Sequence, residues 1–338
     1  MKFPHFFWSC VSLTALVLAG CNSSSDGPGS ATLNDPNWSA GQDTMQSIST
    51  PFHDNQAGIF ALVRGNSQRF LSAQIGDRSF TSASINSTDS YNDITAFRVT
   101  QSSNGNTKSD YVIVACSNEG NADIFLASNP GQVDSNDLGS MSSCVSIAAK
   151  PEDYTNGIAM KAYIAGNSRL GEITFSVNLF DNSGFDVTAF NSSVSVIPEG
   201  SAVEIRAVAG IENLFNDIYP HYAIQGSTNQ IKRRTSSTTS SEIYKSTSNP
   251  LTGSLGKANL TDLILIPDNG LFMVGEDQGL AALYHEQFGG VLSSMTKFSG
   301  DGSRCIDALA WDGSQLWCHD GTSEGRLIRF TPPEAPAS

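Results

Sequence analysis

The chain has 338 residues, with 19 Lys and Arg against 33 Asp and Glu, a formal charge of −14, and 39% hydrophobic residues. That length and apolar content support a sizeable buried core, and the acidic balance argues against nucleic acid or anionic surfaces as partners. Lys232-Arg233-Arg234 is the one basic run, read as a solvated loop.

The N-terminus carries an address. Met1-Lys2 begins positively, Phe6 to Leu18 is mostly apolar, and Leu18-Ala19-Gly20-Cys21 follows. Thirteen residues, broken by Ser9, Ser12 and Thr14, are too few for a bilayer, which needs about 20 helical residues, but they suit a signal peptide. The tetrapeptide resembles the bacterial lipobox, which implies cleavage before Cys21 and acylation of its thiol. Residues 1–20 are then a leader. Loss of Lys2 with it makes the mature chain one unit more negative. Asn22, in place of Asp, implies by the same resemblance an outer-membrane destination in the cell envelope. Residues 21–44, rich in Ser, Gly, Asp and Asn, are expected to be a flexible tether.

From residue 45 short β-branched and aromatic runs alternate with Gly, Asn, Asp and Ser turns. They include GIFALVRG (58–65), DYVIVACS (110–117), ADIFLAS (122–128), EITFSVNLF (172–180), AVEIRAVAG (202–210), DLILI (262–266), LFMVG (271–275) and GRLIRF (325–330). Runs of this length between turn signals are strands. No dozen-residue stretch has helical periodicity, so the fold is expected to be all-β.

These runs repeat. MQSISTPFHDNQAGIFAL (45–62) lies over CVSIAAKPEDYTNGIAMK (144–161) at an offset of 99. DITAF (93–97) answers DVTAF (186–190) at 93, which also places YVIVAC over EIRAVA. DLILIPDNGLFMVGED (262–277) matches DALAWDGSQLWCHDGT (307–322) at 45. The last unit resembles blades of NHL and gluconolactonase-like propellers, and a period of 40–50 residues has the same meaning. We therefore expect a β-propeller of six or seven irregular blades over 45–331, preferably seven, starting near 45, 93, 144, 186, 213, 260 and 305. Residues 332–338 form a tail. Tandem β-sandwiches are the alternative.

Four cysteines remain after Cys10 and Cys21. Local pairing predicts disulfides Cys116–Cys144 and Cys305–Cys318, both near one rim. The spacings lack CxxC, so zinc is not expected. No hydrolase, P-loop or EF-hand motif is present, which gives no grounds for assigning catalytic residues or a cofactor. Asp93, Asp186, Asp217, Asp262 and Asp307 open expected inner strands. They ring a channel that a hard cation such as Ca²⁺ would fit, although an Asp ahead of a strand more commonly accepts backbone N–H bonds. Tyr219, Trp311 and Trp317, with His221 and Tyr222, are either a stacking platform for sugar or peptide or ordinary core between blades. Three functions follow. The first is a membrane-anchored binding scaffold for an envelope protein, peptide or glycan. The others are a Ca-dependent lactonase-like hydrolase and a structural component of a surface assembly.

Overall fold

The computed structural model describes residues 31–51, 58–149, 160–166, 169–180, 197–198, 204–209, 221–225, 230–234, 240–245, 259–266, 270–277, 280–286, 296–297, 305–321 and 325–331. These contain 24 strands: β1 (Ala31–Asn34), β2 (Thr44–Ser49), β3 (Gly58–Arg64), β4 (Arg69–Gln74), β5 (Thr81–Ser84), β6 (Tyr91–Ser103), β7 (Asn106–Ser117) and β8 (Asn121–Leu126). Next come β9 (Asn129–Asp137), β10 (Ser146–Ala149), β11 (Met160–Gly166), β12 (Arg169–Phe175), β13 (Ile197–Pro198), β14 (Glu204–Ala209), β15 (His221–Gln225) and β16 (Gln230–Arg234). The series ends with β17 (Ser240–Lys245), β18 (Asn259–Ile266), β19 (Gly270–Asp277), β20 (Leu280–Glu286), β21 (Thr296–Lys297), β22 (Asp307–Trp311), β23 (Leu316–His319) and β24 (Arg326–Phe330).

They assemble into six four-stranded antiparallel sheets. Sheets I to V are β2–β5, β6–β9, β10–β13, β14–β17 and β18–β21, each in simple meander order. Sheet VI is β22-β23-β24 with β1 as its fourth strand. The first strands form a closed circuit: β2 neighbours β6 and β22, β10 neighbours β6 and β14, and β18 neighbours β14 and β22. A ring of stacked sheets replaces the tandem-sandwich alternative. Among the described residues no helix is long and apolar enough to cross a membrane.

Packing explains why the strands read as unbroken apolar runs. In β3, Ile59, Ala61 and Val63 enter the core shared with sheet VI, while Phe60 and Leu62 enter the core shared with sheet II. In β7, Val112, Val114 and Cys116 face sheet III, whereas Ile113 and Ala115 face sheet I. A sheet covered on both faces has no solvent side to mark with polar residues. Each such aliphatic side chain contributes about 1.5–3 kcal/mol by burial.

Expected starts near 45, 93, 144, 260 and 305 fall close to β2, β6, β10, β18 and β22. Those at 186 and 213 lie outside the described residues, and between them one sheet opens at Glu204, so seven starts correspond to six sheets here. The overlay of YVIVAC on EIRAVA fails structurally, because β7 is the second strand of its sheet and β14 the first. Both sequences read as strands, and a strand reading does not by itself give rank within a sheet. The basic run Lys232-Arg233-Arg234 belongs to β16 rather than to a loop.

The expected tether over 21–44 is shortened at its C-terminal end. Ala31 to Asn34 pair with Arg329 to Arg326 and close the ring. Leu33 is buried between sheets VI and I. The Asn34 N–H donates to the Arg78 carbonyl at 3.1 Å, and the Phe80 N–H donates to the Asn34 carbonyl at 3.0 Å, bracing β1 to sheet I as well.

Candidate functional site

Each meander sheet runs down, up, down and up from the channel outward, which gives the ring two distinct faces. The connections into β2, β10 and β22 and the turn after β23 share one face. The β6–β7 turn at Asn104-Gly105 lies on the other. Cys116–Cys144 and Cys305–Cys318 both form, with Cα–Cα distances of 5.2 and 5.5 Å. Cys116 is near the end of a second strand, as is Cys318, while Cys144 and Cys305 lead into first strands, so both bridges staple the first face. Loop-closure arguments assign each bridge about 3–4 kcal/mol. Reduction should therefore lower the melting temperature of the full chain, and mass mapping of the unreduced protein should show these two pairs.

On that face the channel aspartates meet backbone donors. Asp93 Oδ2 accepts the Ser146 hydroxyl and the Ile147 N–H of sheet III, each at 2.8 Å; Oδ1 accepts its own neighbour's N–H, Ile94, at 2.9 Å, and the Ser47 hydroxyl of sheet I. Asp262 accepts the Leu263 N–H at 2.7 Å and the Leu309 N–H of the next sheet at 2.6 Å. These carboxylates brace successive first strands across the sheet junctions. Burial raises both above the ordinary carboxylate range. It pushes Asp262 up to about 8, aided by the charges of Asp93 and Asp307 and opposed by the two N–H bonds. Among the described residues no three His, Cys, Asp or Glu side chains converge as a metal site.

Asp307 and Asp262 hold equivalent pairing positions, opposite His319 and Val274, but the bulge falls on different sides of them. In β18 the bulge falls before the aspartate, between Leu260 and Asp262; in β22 it falls after, between Asp307 and Leu309, where Ala308 has a φ of 48°. A bulge re-aims the side chains beside it. Asp307 Oδ1 consequently meets His319 Nδ1 at 2.9 Å. The imidazole is almost fully buried, its side chain 4% exposed, and among the described residues Nε2 has no hydrogen-bond partner.

Asp307 and His319 line a pocket of about 300 Å³ together with Trp38, Asp43, Thr44 and Ile306; Gly41 and Gly321 are also in its wall. The rings of Trp38 and His319 lie 5.2 Å apart, tilted by 48°. Gly325, at φ 58°, lets the indole pack over its backbone: a Cβ there would stand 2.2 Å from Trp38 Cδ2. Gly325→Ala should therefore displace the indole, visible as a change in Trp38 fluorescence.

The loop that carries Trp38 is held by Arg69 of β4. Its guanidinium reaches Asp35 at 2.8 Å and Asp43 at 2.7 Å, and Asp43 also accepts the Ser39 N–H at 2.8 Å. The Asp35 side chain has no exposed surface and that of Asp43 has 8%. Removing a buried ion's partner costs about 3–5 kcal/mol. Arg69→Met should thus destabilise the protein by roughly that amount in chemical denaturation, with solvent screening of the 16%-exposed Arg69 placing it near the lower end.

Of the expected aromatic platform, the described members Trp311 and Trp317 do not line this pocket. Trp317 is 2% exposed between sheets VI and I, its indole N–H donating to Asp312 Oδ2 at 2.8 Å, with Arg329 over its ring. Trp311 packs against the core between sheets V and VI. Trp317 is a core residue, and Trp311 is half-buried at the edge of one. Asp312 Oδ1 accepts the Ser314 and Gln315 N–H groups and so folds the WDGS turn. Cys21, Asp186, Asp217 and Tyr219 lie outside the described residues, as do the side chains of His221 and Tyr222. The aromatic that does reach the pocket, Trp38, sits in the stretch expected to be tether. Its one signal is a lone tryptophan in Asp-Pro-Asn-Trp within an otherwise small, polar stretch.

A ring of four-stranded meanders joined around a channel and closed by a strand from the other terminus decides the architecture. The fold is a β-propeller. No family model matches the chain, and no curated protein matches it by sequence. Among solved structures, the propeller is similar to a luciferin-regenerating enzyme, with a TM-score of 0.52 and 10% identity over 90% of this chain and 96% of that one. It is similar also to U3-55K, with a TM-score of 0.50 and 7% identity over 88% of this chain and 100% of that one. At such identities the likeness concerns fold, and propellers host many unrelated functions.

Proposed function

We propose that this propeller, with six blades, is a lipid-anchored binding module of the bacterial cell envelope, held through Cys21 and placed at the outer membrane. It presents its pocket face away from the anchoring membrane to an envelope protein, peptide or glycan. The observation that carries this reading is the direction of β1. Its C-terminal end, Asn34, leads into the loop that lines the pocket, so its N-terminal end, Ala31, belongs to the opposite face. Ten residue steps separate Cys21 from Ala31, a reach of at most about 35 Å. A short leash on the far face leaves the pocket accessible to a partner and distant from the lipid. The acidic composition disfavours nucleic acid.

The metal-dependent hydrolase reading is weaker, because Asp93 and Asp262, its intended ligands, already receive backbone N–H groups from two blades each. Expressing the full chain with Cys21→Ser in a bacterial host tests the anchor. Radiolabelled palmitate should enter the wild type and not the variant, and the variant should leave the membrane fraction. Equal membrane retention without label in either protein would contradict the proposal.

A further inference from the structure

We infer that the pocket beside Trp38 and His319 binds a saccharide unit, a deepening that rests on the binding-module reading above. Its chemistry selects for hydrogen-bond donors. Asp307 accepts the Nδ1–H of His319, so in the neutral imidazole Nε2 carries a lone pair, an acceptor that is buried and without a partner among the described residues. A buried unpaired acceptor costs about 1–3 kcal/mol, so a ligand O–H or N–H that satisfies it is favoured by a comparable amount. Asp307, Asp43 and the exposed Thr44 add further oxygen atoms to the wall.

Among the described residues no cationic side chain lines this pocket, and the nearby guanidinium of Arg69 is taken by Asp35 and Asp43. An anion such as phosphate or a carboxylate would therefore meet acidic groups with no compensating charge. Trp38 supplies a flat apolar wall, and glycines at 41 and 321 keep other parts low. An aromatic wall opposite several acceptors suits a ring with an apolar face and a hydroxyl edge. The pocket volume is at the small end for ligand sites, which limits the occupant to about one ring. Nε2 is closed to solvent with the indole packed beside the imidazole, so a hydroxyl reaches it only as Trp38 shifts. Binding and Trp38 movement are thereby coupled.

The test uses the full lipidated protein in detergent. Methyl hexosides and N-acetylhexosamines are the probes, with ethylammonium as an amine control and inorganic phosphate as an anion control. Indole fluorescence and the His319 imidazole NMR signals are followed together. At least one saccharide should saturate in the millimolar range or tighter, moving both signals. Trp38→Ala should weaken it at least tenfold, and His319→Ala should abolish it. Thermal melts establish folding, and if His319→Ala melts early, His319→Gln, which keeps an acceptor, replaces it and should retain partial binding. Saturation by ethylammonium or phosphate alone, binding unchanged in Trp38→Ala, or no saturation by any saccharide would overturn the inference. Those outcomes leave the Cys21 anchor standing, since palmitate labelling and fractionation test it separately.

Discussion

Deleting Ala31 to Asn34 is expected to cost this protein more than any other four-residue change in the described structure. The deletion removes every backbone pair between β1 and β24, empties the Leu33 site between sheets VI and I, and breaks the bonds from Asn34 to Arg78 and Phe80. Emptying the Leu33 site alone is a large-to-small core change of about 2–5 kcal/mol, which Leu33→Ala isolates. The deletion also leaves β24 as an unpaired edge beside the first blade, a template for pairing with another chain. The shortened protein should melt more than 5 °C below the wild type and form oligomers on size exclusion. Removing residues 22–30 instead should leave the melting temperature nearly unchanged. Equal melting of the two deletions would show that β1 does not close the ring.

The second large effect is a pH dependence with an unusual sign. Asp262 moves from an ordinary value of 3.8 to about 8 on folding, chiefly through burial, and Asp93 is raised for the same first reason. Between those values the folded state binds more protons than the unfolded chain. The contribution of Asp262 to stability is therefore fully present below about pH 4 and is lost as pH rises towards 8, and Asp93 acts in the same direction. One linked proton changes unfolding free energy by at most about 1.4 kcal/mol per pH unit. Denaturant midpoints should fall from pH 5 to pH 8. Asp262→Asn should flatten that slope while losing one of the two braces to Leu263 and Leu309, so the variant should be relatively better at pH 8 than at pH 5. An unchanged slope in Asp262→Asn would remove Asp262 from the account.

The strands were legible as short apolar runs, unbroken where both faces of a sheet are covered, as in sheets I and II. A run such as IFALV in β3 alternates between two cores, and its apolar character survives any choice of face. A strand reading alone left rank within the sheet open, as YVIVAC and EIRAVA show. The correspondence of Asp262 and Asp307 was legible as a spacing of 45, but their separate roles were not, because they depend on the bulge beside each and on the residue opposite. β1 was illegible for another reason. Ala31-Thr32-Leu33-Asn34 contains one large apolar residue in a polar stretch, and its partners lie at the far end of the chain. With β1 hidden, Trp38 and its loop were read as tether, and the pocket had no visible wall. His319 carried no motif either; only the fold brings it to Asp307.

The central claim is that tether and pocket occupy opposite faces of one closed ring. Its most direct test places a fluorophore at Ala40→Cys, in the pocket wall, or at Asn106→Cys, beside the β6–β7 turn on the other face. Four of the native cysteines are paired in disulfides, and on the proposed reading Cys10 leaves with the leader and Cys21 is acylated, which leaves the new thiol for labelling. With the lipidated protein in vesicles that carry an acceptor lipid, the label at 106 should be quenched more strongly than the label at 40. Equal quenching, or stronger quenching at 40, would contradict the account.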